Sequence, residues 1–161
     1  VAANVNVADA HYDYGVLLSM QEQWDQAAEA YRKALALNPL HAQAHNNLGQ
    51  ILERERKLDE AMAEYRRAVD SQPTLRIARF NLGRMLIALN RNDEAVTELE
   101  RATEPRDAEA PRYLFALSVA HARAGHKDQA LKWGTEAHDL AVKYGDTQLA
   151  SAIERDLASL R

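Results

Sequence analysis

A single helix–turn–helix pattern returns every 34 residues along this chain, as the Leu-Gly pairs Leu48-Gly49 and Leu82-Gly83 and the equivalent Tyr14-Gly15 show. Periods of this length belong to arrays in which each unit buries its apolar face only by stacking on its neighbours. The clearest copy is Ala42–Leu75, AQAHNNLGQILERERKLDEAMAEYRRAVDSQPTL. Its first half places Leu48, Gly49 and Leu52 on one stripe, and its second half does the same with Ala61, Tyr65 and Ala68. These are the i, i+3, i+4, i+7 spacings of amphipathic helices. Pro73 ends the unit, because the residue before a proline disfavours the helical region.

The same template divides the rest of the chain. Residues 1–7 carry no pattern and read as an irregular lead-in. The first repeat covers 8–41, with Tyr14, Gly15 and Leu18 on one predicted stripe, Ala27, Tyr31 and Ala34 on the next, and Asn38-Pro39 at the stop. The second covers 42–75. The third covers 76–109, with Leu82, Gly83, Leu86, Ala95, Leu99 and Ala102 in place and its proline slipped to Pro105. A divergent fourth, 111–144, is offset by one residue; Ser118 stands where glycine is expected and Gly134 where the aromatic is expected. After Tyr144-Gly145, a helix stop, residues 146–161 form one further amphipathic helix with Leu149, Ile153, Leu157 and Leu160 on its stripe. Such a helix caps the end of an array with a polar back. No comparable cap precedes Ala8, and the opening VAANVNVAD, which lacks an initiating Met, reads as a cut inside a longer protein.

Two residue types recur with the period. Asp25, Asp59, Asp93 and Asp128 each open a second helix, where an Asp is expected to accept a bond from a first-turn amide, worth ~1 kcal/mol, and to favour the positive helix end. Gly15, Gly49 and Gly83 sit mid-helix, where glycine costs ~1 kcal/mol relative to alanine. That cost is tolerable if the missing side chain admits the second helix of the pair, with Tyr31 and Tyr65 filling space toward the next unit.

Composition narrows the functional classes. The formal net charge of −4 argues against general nucleic-acid affinity. With no cysteine, disulfides, thiolate nucleophiles and thiolate metal sites are excluded. No apolar run approaches the ~20 residues of a membrane-spanning helix. A soluble protein of the cytoplasm or the periplasm fits, with no preference between them. His41 and His45 have the i, i+4 spacing of a helical metal pair, but they straddle the junction after Pro39 and lack a third ligand. No phosphate-binding glycine loop, nucleophile elbow or carboxylate pair is present. No catalytic residue, cofactor or metal is expected.

The repeat resembles the tetratricopeptide repeat (TPR): Leu-Gly early, alanine and an aromatic in the second helix, proline late. The resemblance spans about 8–144. It implies an all-α fold, a right-handed α-solenoid of antiparallel helix pairs, with first helices on the concave face. On that face it places Tyr12 and Asp13, then Asn46, Asn47 and Gln50, then Phe80, Asn81 and Arg84, and last Arg112 and Phe115. Asn47 and Asn81 fall at the same place in successive repeats, and an amide can pair with a peptide group in either sense. This is similar to the asparagine ladder in the TPR region of O-GlcNAc transferase, with two rungs matched. Asp9 and Asp13 make one end of the face acidic; Arg84, Arg112 and Arg123 make the other basic. Tyr12, Phe80 and Phe115 add apolar area of the kind that anchors partners. The carboxylate clamp of chaperone-binding TPRs is absent, because Tyr12, Val16, Ile77 and Asn81 stand at four of its five positions. The resemblance thus implies a non-catalytic scaffold that binds a protein or peptide segment. Two other readings remain at this level. One is the recruiting arm of a larger enzyme, such as a glycosyltransferase. The other is a module that self-associates by end-to-end stacking from the open first helix.

Overall fold

The computed structural model describes the backbone of residues 2–160 and the side chains of residues 7–160. Among these residues every regular element is an α-helix. In chain order they are α1 (Ala2–Met20), α2 (Trp24–Leu37), α3 (Ala42–Arg54), α4 (Leu58–Ser71), α5 (Arg76–Ala88), α6 (Asn92–Glu100), α7 (Ala110–Arg123), α8 (Lys127–Lys143) and α9 (Thr147–Leu160). The chain forms two compact units, residues 1–78 and residues 79–161. In the first, α1 packs on α2, α2 on α3 and α3 on α4. In the second, α6 packs on α7, α7 on α8 and α8 on α9.

The turns inside each helix pair share one backbone device. Glu22, Arg56, Asn90, Gly125 and Gly145 all take positive φ, from 58° to 83°. The amide after each bonds back five residues: Gln23 to the Leu18 carbonyl, Lys57 to Leu52, Arg91 to Leu86, His126 to His121 and Asp146 to Ala141, all at 2.9 Å. This left-handed stop satisfies the orphan carbonyls of the ending helix and reverses the chain at once. Only Gly125 and Gly145 carry the residue that this conformation favours.

That device corrects the role of the repeated aspartates. The residues flanking the second helices, Gln23, Lys57, Arg91 and His126, make no side-chain cap bond, and Asp25, Asp59, Asp93 and Asp128 lie inside the first turn. They act through the positive end of the helix, not as caps. Side-chain caps stand elsewhere: His41 Nδ1 accepts from the Ala44 amide at 3.2 Å at the start of α3, and Asp146 Oδ1 accepts from the Leu149 amide at 3.0 Å at the start of α9.

The glycines lie where close approach was expected, but the partner differs. A Cβ on Gly15 would meet Tyr31 Cε1 at 2.6 Å, one on Gly49 would meet Tyr65 Cε1 at 2.8 Å, and one on Gly83 would meet Leu99 Cγ at 2.5 Å. The tyrosine rings therefore fill the glycine notch of their own repeat rather than a gap toward the next. The Tyr31 hydroxyl pairs with Ser19 Oγ of its own helix pair at 3.0 Å and accepts from Asn47 Nδ2 of the next repeat at 3.3 Å. In the fourth pair both positions are small, and α9 supplies the missing bulk. A Cβ on Gly134 would lie 2.7 Å from Leu157 Cδ2 and 2.8 Å from Ser118 Oγ. Leu157 and Ile153 are buried there, so α9 is keyed into the pair rather than laid over it.

Two further expectations change. Helix begins at Ala2, not Ala8; no glycine or proline interrupts AANVNVADA, so the helix simply continues toward the start. The irregular stretch assigned to 1–7 is therefore helical over the described backbone, and Val1 lies outside the described residues. Tyr14, placed on the packing stripe, is 54% exposed.

Candidate functional site

In the first unit, the predicted groove residues form an internal network. Tyr12 stacks obliquely on Tyr31 and His41, with ring centroids 5.9 and 4.6 Å away. Burial and the neighbouring Tyr31 hold the Tyr12 hydroxyl above its ordinary pKa, against a lowering hydrogen bond from Asn47. Asn47 also donates to the Tyr31 hydroxyl, and its Oδ1 accepts from Asn46 Nδ2 at 3.1 Å. Asn46 is 4% exposed. Of the five residues predicted here, Asp13 and Gln50 are the ones that stand in solvent.

The second unit is different. Phe80, Arg84, Ile87 and Ala88 recur at i, i+4, i+7 and i+8 along α5, and Arg112, Phe115, Ala116, Val119 and Arg123 recur likewise along α7. The two faces meet in an open trough of about 350 Å³. Its floor is apolar and its polar groups are guanidiniums. The Arg84 guanidinium lies 5.6 Å from the Phe80 ring centroid, within cation–π range. Phe80 is braced from behind by Tyr113, ring centroids 5.1 Å apart. Arg123 Nη1 donates to the Ile87 carbonyl at 3.3 Å, tying α7 to the end of α5. Arg112 is exposed and pairs with exposed Glu109 at 3.6 Å, a contact that solvent screens heavily. Four predicted residues, Phe80, Arg84, Arg112 and Phe115, thus come together. Asn81, the fifth predicted in this unit, is 3% exposed.

The trough continues past α7. A second depression of about 280 Å³ lies between α7 and α9 and shares Phe115, Val119 and Arg123 with the first. Asp156 and Leu160 of α9 line it. The sequence identified the apolar stripe of α9 but read it only as a lid; its part in this surface depends on the Leu157 key described above.

Tetratricopeptide-repeat models match residues 12–75, 52–114 and 111–133. The chain belongs to the tetratricopeptide repeat family. Solved structures agree on the TPR α-solenoid fold. Pseudomonas aeruginosa PilF is 22% identical with a TM-score of 0.74, the match covering 99% of this chain and 78% of that one. A crystal structure of MamA is 20% identical with a TM-score of 0.75, covering 90% and 84%. The TPR2B domain of yeast Sti1, solved as a complex with pHsp70, is 19% identical with a TM-score of 0.65, covering 72% and 97%. No curated protein matches the sequence. The TPR fold suggests a protein–protein interaction scaffold, and domains of this kind are typically non-catalytic.

Within the TPR frame, the asparagine rungs are unequal. Asn47 is half-buried and engaged by Tyr12 and Tyr31, and Asn81 is covered, so neither presents a free amide at the surface. The histidine pair is also engaged. His45 Nδ1 faces Glu64 Oε2 at 2.6 Å and its Nε2 faces the Pro39 carbonyl at 2.9 Å. His41 caps α3 and faces Asp9 at 3.4 Å. Among the described residues, no group of three or more His, Cys, Asp or Glu could hold a metal ion. No described helix is long and apolar enough to cross a membrane.

Sequence reasoning missed one repeated element. His45 pairs with Glu64, and Arg79, 34 residues later, pairs with Glu98. All four side chains are at most 21% exposed. Each pair ties a first helix to its second helix through a buried or nearly buried nitrogen side chain and a Glu. The signal was available as a nitrogen side chain and a Glu at the repeat spacing, but the first residue changes from His to Arg between copies.

Proposed function

We propose that this chain is a non-catalytic scaffold that takes a peptide or protein segment on its first-helix surface, with the α5–α7 trough as the principal site. The observation that carries this reading is the convergence of two phenylalanines and three arginines on one open apolar floor. Aromatic rings and guanidiniums are the side chains that most often supply binding hot spots. The floor is preformed by Tyr113 behind Phe80 and by Arg123 on the Ile87 carbonyl, which limits the ordering cost of binding. A segment carrying a large apolar side chain next to one or more carboxylates matches both the floor and its rim. A contact between domains of known TPR proteins and peptides, as in the Sti1 domain with pHsp70, is consistent with this mode.

The test is selection from a phage-displayed random-peptide library on the wild-type chain, followed by binding of the selected peptides to Arg84→Glu/Arg112→Glu and to Phe115→Ala. Circular dichroism first establishes that the variants are folded. Enriched peptides are expected to pair Asp or Glu with Leu or an aromatic residue. The charge-reversed variant should weaken them by at least about tenfold, the effect of one good contact. Selected peptides that bind all three proteins alike would overturn this placement.

A further inference from the structure

The depression between α7 and α9 differs from the α5–α7 trough in the charges on its rim. Phe115, Val119, Ile153 and Leu160 give it apolar walls, and its polar side chains are Ser118, Arg123, Asp156 and Ser159. Three of these four are engaged within the chain. Ser118 Oγ donates to the Ala130 carbonyl at 2.7 Å, Ser159 Oγ donates to the Asp156 carbonyl at 2.7 Å, and Arg123 Nη1 donates to the Ile87 carbonyl. The Asp156 carboxylate is exposed and takes no ion pair or hydrogen bond among the described residues. Its neighbour Arg155 does not neutralise it, because that guanidinium donates from Nε to the Ser151 carbonyl at 3.2 Å.

The two hollows share Phe115, Val119 and Arg123, so α7 lies between them and one surface runs from α5 across α7 to α9. Arg84 and Arg112 stand at one end of it and Asp156 at the other. A trough with cations alone would take an acidic, apolar segment in either order. A surface with cations at one end and a carboxylate at the other imposes an order, because the reversed ligand would bring like charges together at both ends. Packed helix axes stand 8–10 Å apart, so the path from α5 to α9 is ~16–20 Å. An extended chain, at ~3.3 Å per residue, crosses that distance in about five or six residues.

We propose that the α5–α7–α9 surface is a single charge-ordered site for an extended peptide segment with Asp or Glu at one end, Lys or Arg about five or six residues away, and large apolar side chains between them. The acidic end lies over Arg84 and Arg112, one apolar side chain rests on the Phe80–Phe115 floor, a second enters the hollow beside Ile153 and Leu160, and the basic end meets Asp156. This rests on the α5–α7 trough being the binding site, and adds to it a second anchor and the order of charges.

The experiment selects a phage-displayed random-peptide library in parallel on the wild-type chain and on Asp156→Lys. Matching melting points establish that the variant is folded; Asp156 is exposed, and a cation near the end of α9 suits the helix dipole. Wild-type peptides should carry the basic residue at the stated spacing and bind Asp156→Lys about three- to tenfold more weakly, as for an exposed pair turned from attraction to repulsion. Asp156→Asn should show a smaller loss in the same direction. Peptides selected on Asp156→Lys should exchange the basic residue for Asp or Glu and keep the rest. Peptides that lose affinity on Arg84→Glu/Arg112→Glu but bind Asp156→Lys as they bind wild type would overturn the charge order and leave the trough standing. Peptides indifferent to both variants, or no enrichment on the wild-type chain, would overturn the trough and the charge order together.

Discussion

Gly49→Ala tests the packing logic of the repeat through the sign of its effect. In an open helix position the change should stabilise, because alanine is favoured over glycine by ~1 kcal/mol. At Gly49 the added Cβ would stand 2.8 Å from Tyr65 Cε1, 2.9 Å from Cδ1 and 3.3 Å from the Ala61 carbonyl oxygen. The nearest two atoms belong to a ring, not to a flexible chain end. That ring is 0% exposed, and its hydroxyl donates to Glu53 Oε2 at 2.9 Å, so it cannot swing away without losing both its packing and its bond. Overpacking of this kind costs ~1–3 kcal/mol. Against the propensity gain, the net loss is ~0–2 kcal/mol, and Gly49→Leu should lose the full overpacking cost or more. Urea denaturation followed by circular dichroism at 222 nm, the usual helix band, reads the midpoint with an unchanged slope if only stability has moved. A midpoint that rises by the equivalent of ~1 kcal/mol, as at an uncrowded helix site, would refute the claim that Gly49 exists to seat Tyr65.

Three other perturbations follow from the same structure. Burial pushes the Glu64 carboxyl up, but its bonds to His45 and Arg67 outweigh that and hold its pKa below the ordinary 4.5; its stabilisation is therefore complete above pH 4.5 and is lost as pH falls through the lower folded value. Glu64→Gln should cost ~1–3 kcal/mol at neutral pH and flatten the acid limb of a pH–stability curve, and an unchanged limb would contradict the assignment. Arg56 has φ of 64°, so Arg56→Gly should relieve a left-handed penalty of ~1–2 kcal/mol, offset in part by chain entropy of ~0.5–1 kcal/mol. Gly125→Ala, at φ 83° with nothing within 4 Å of its Cβ, should destabilise by strain alone; thermal melts of both decide whether the turns work as described. Leu157→Ala should cost ~2–5 kcal/mol, because Ser118 and Gly134 leave a space that only α9 fills, and native exchange should show α9 released first.

The architecture was legible because the repeat states it several times over. Period, helix stripes, the stop at Gly145 and the terminal helix all follow from apolar spacing and turn residues, and spacing survives substitution. What was not legible depends on atoms rather than spacing. Asp25 and its equivalents read as caps because Asp favours that position, whereas the left-handed turn carries the chain into the helix two residues earlier and leaves Asp in the first turn. Tyr14 read as core because its equivalents are Leu48 and Leu82, but burial is a property of the neighbour as well as of the position. Asn47 and Asn81 read as matched rungs, yet one is tied to two tyrosines and the other is covered. Phe80, Arg84, Arg112 and Phe115 were named from helix faces alone; that α9 extends their surface follows from Leu157 occupying the notch in the fourth pair.

The most direct test of the central claim is the hydrogen-exchange footprint of a library-selected acidic, apolar peptide on the intact chain. The account predicts slowed exchange in α5 over residues 80–88 and in α7 over residues 112–123, with the second helices α6 and α8 unchanged on their outer faces. Protection confined to the second helices, or equal protection in the Arg84→Glu/Arg112→Glu variant, would contradict it.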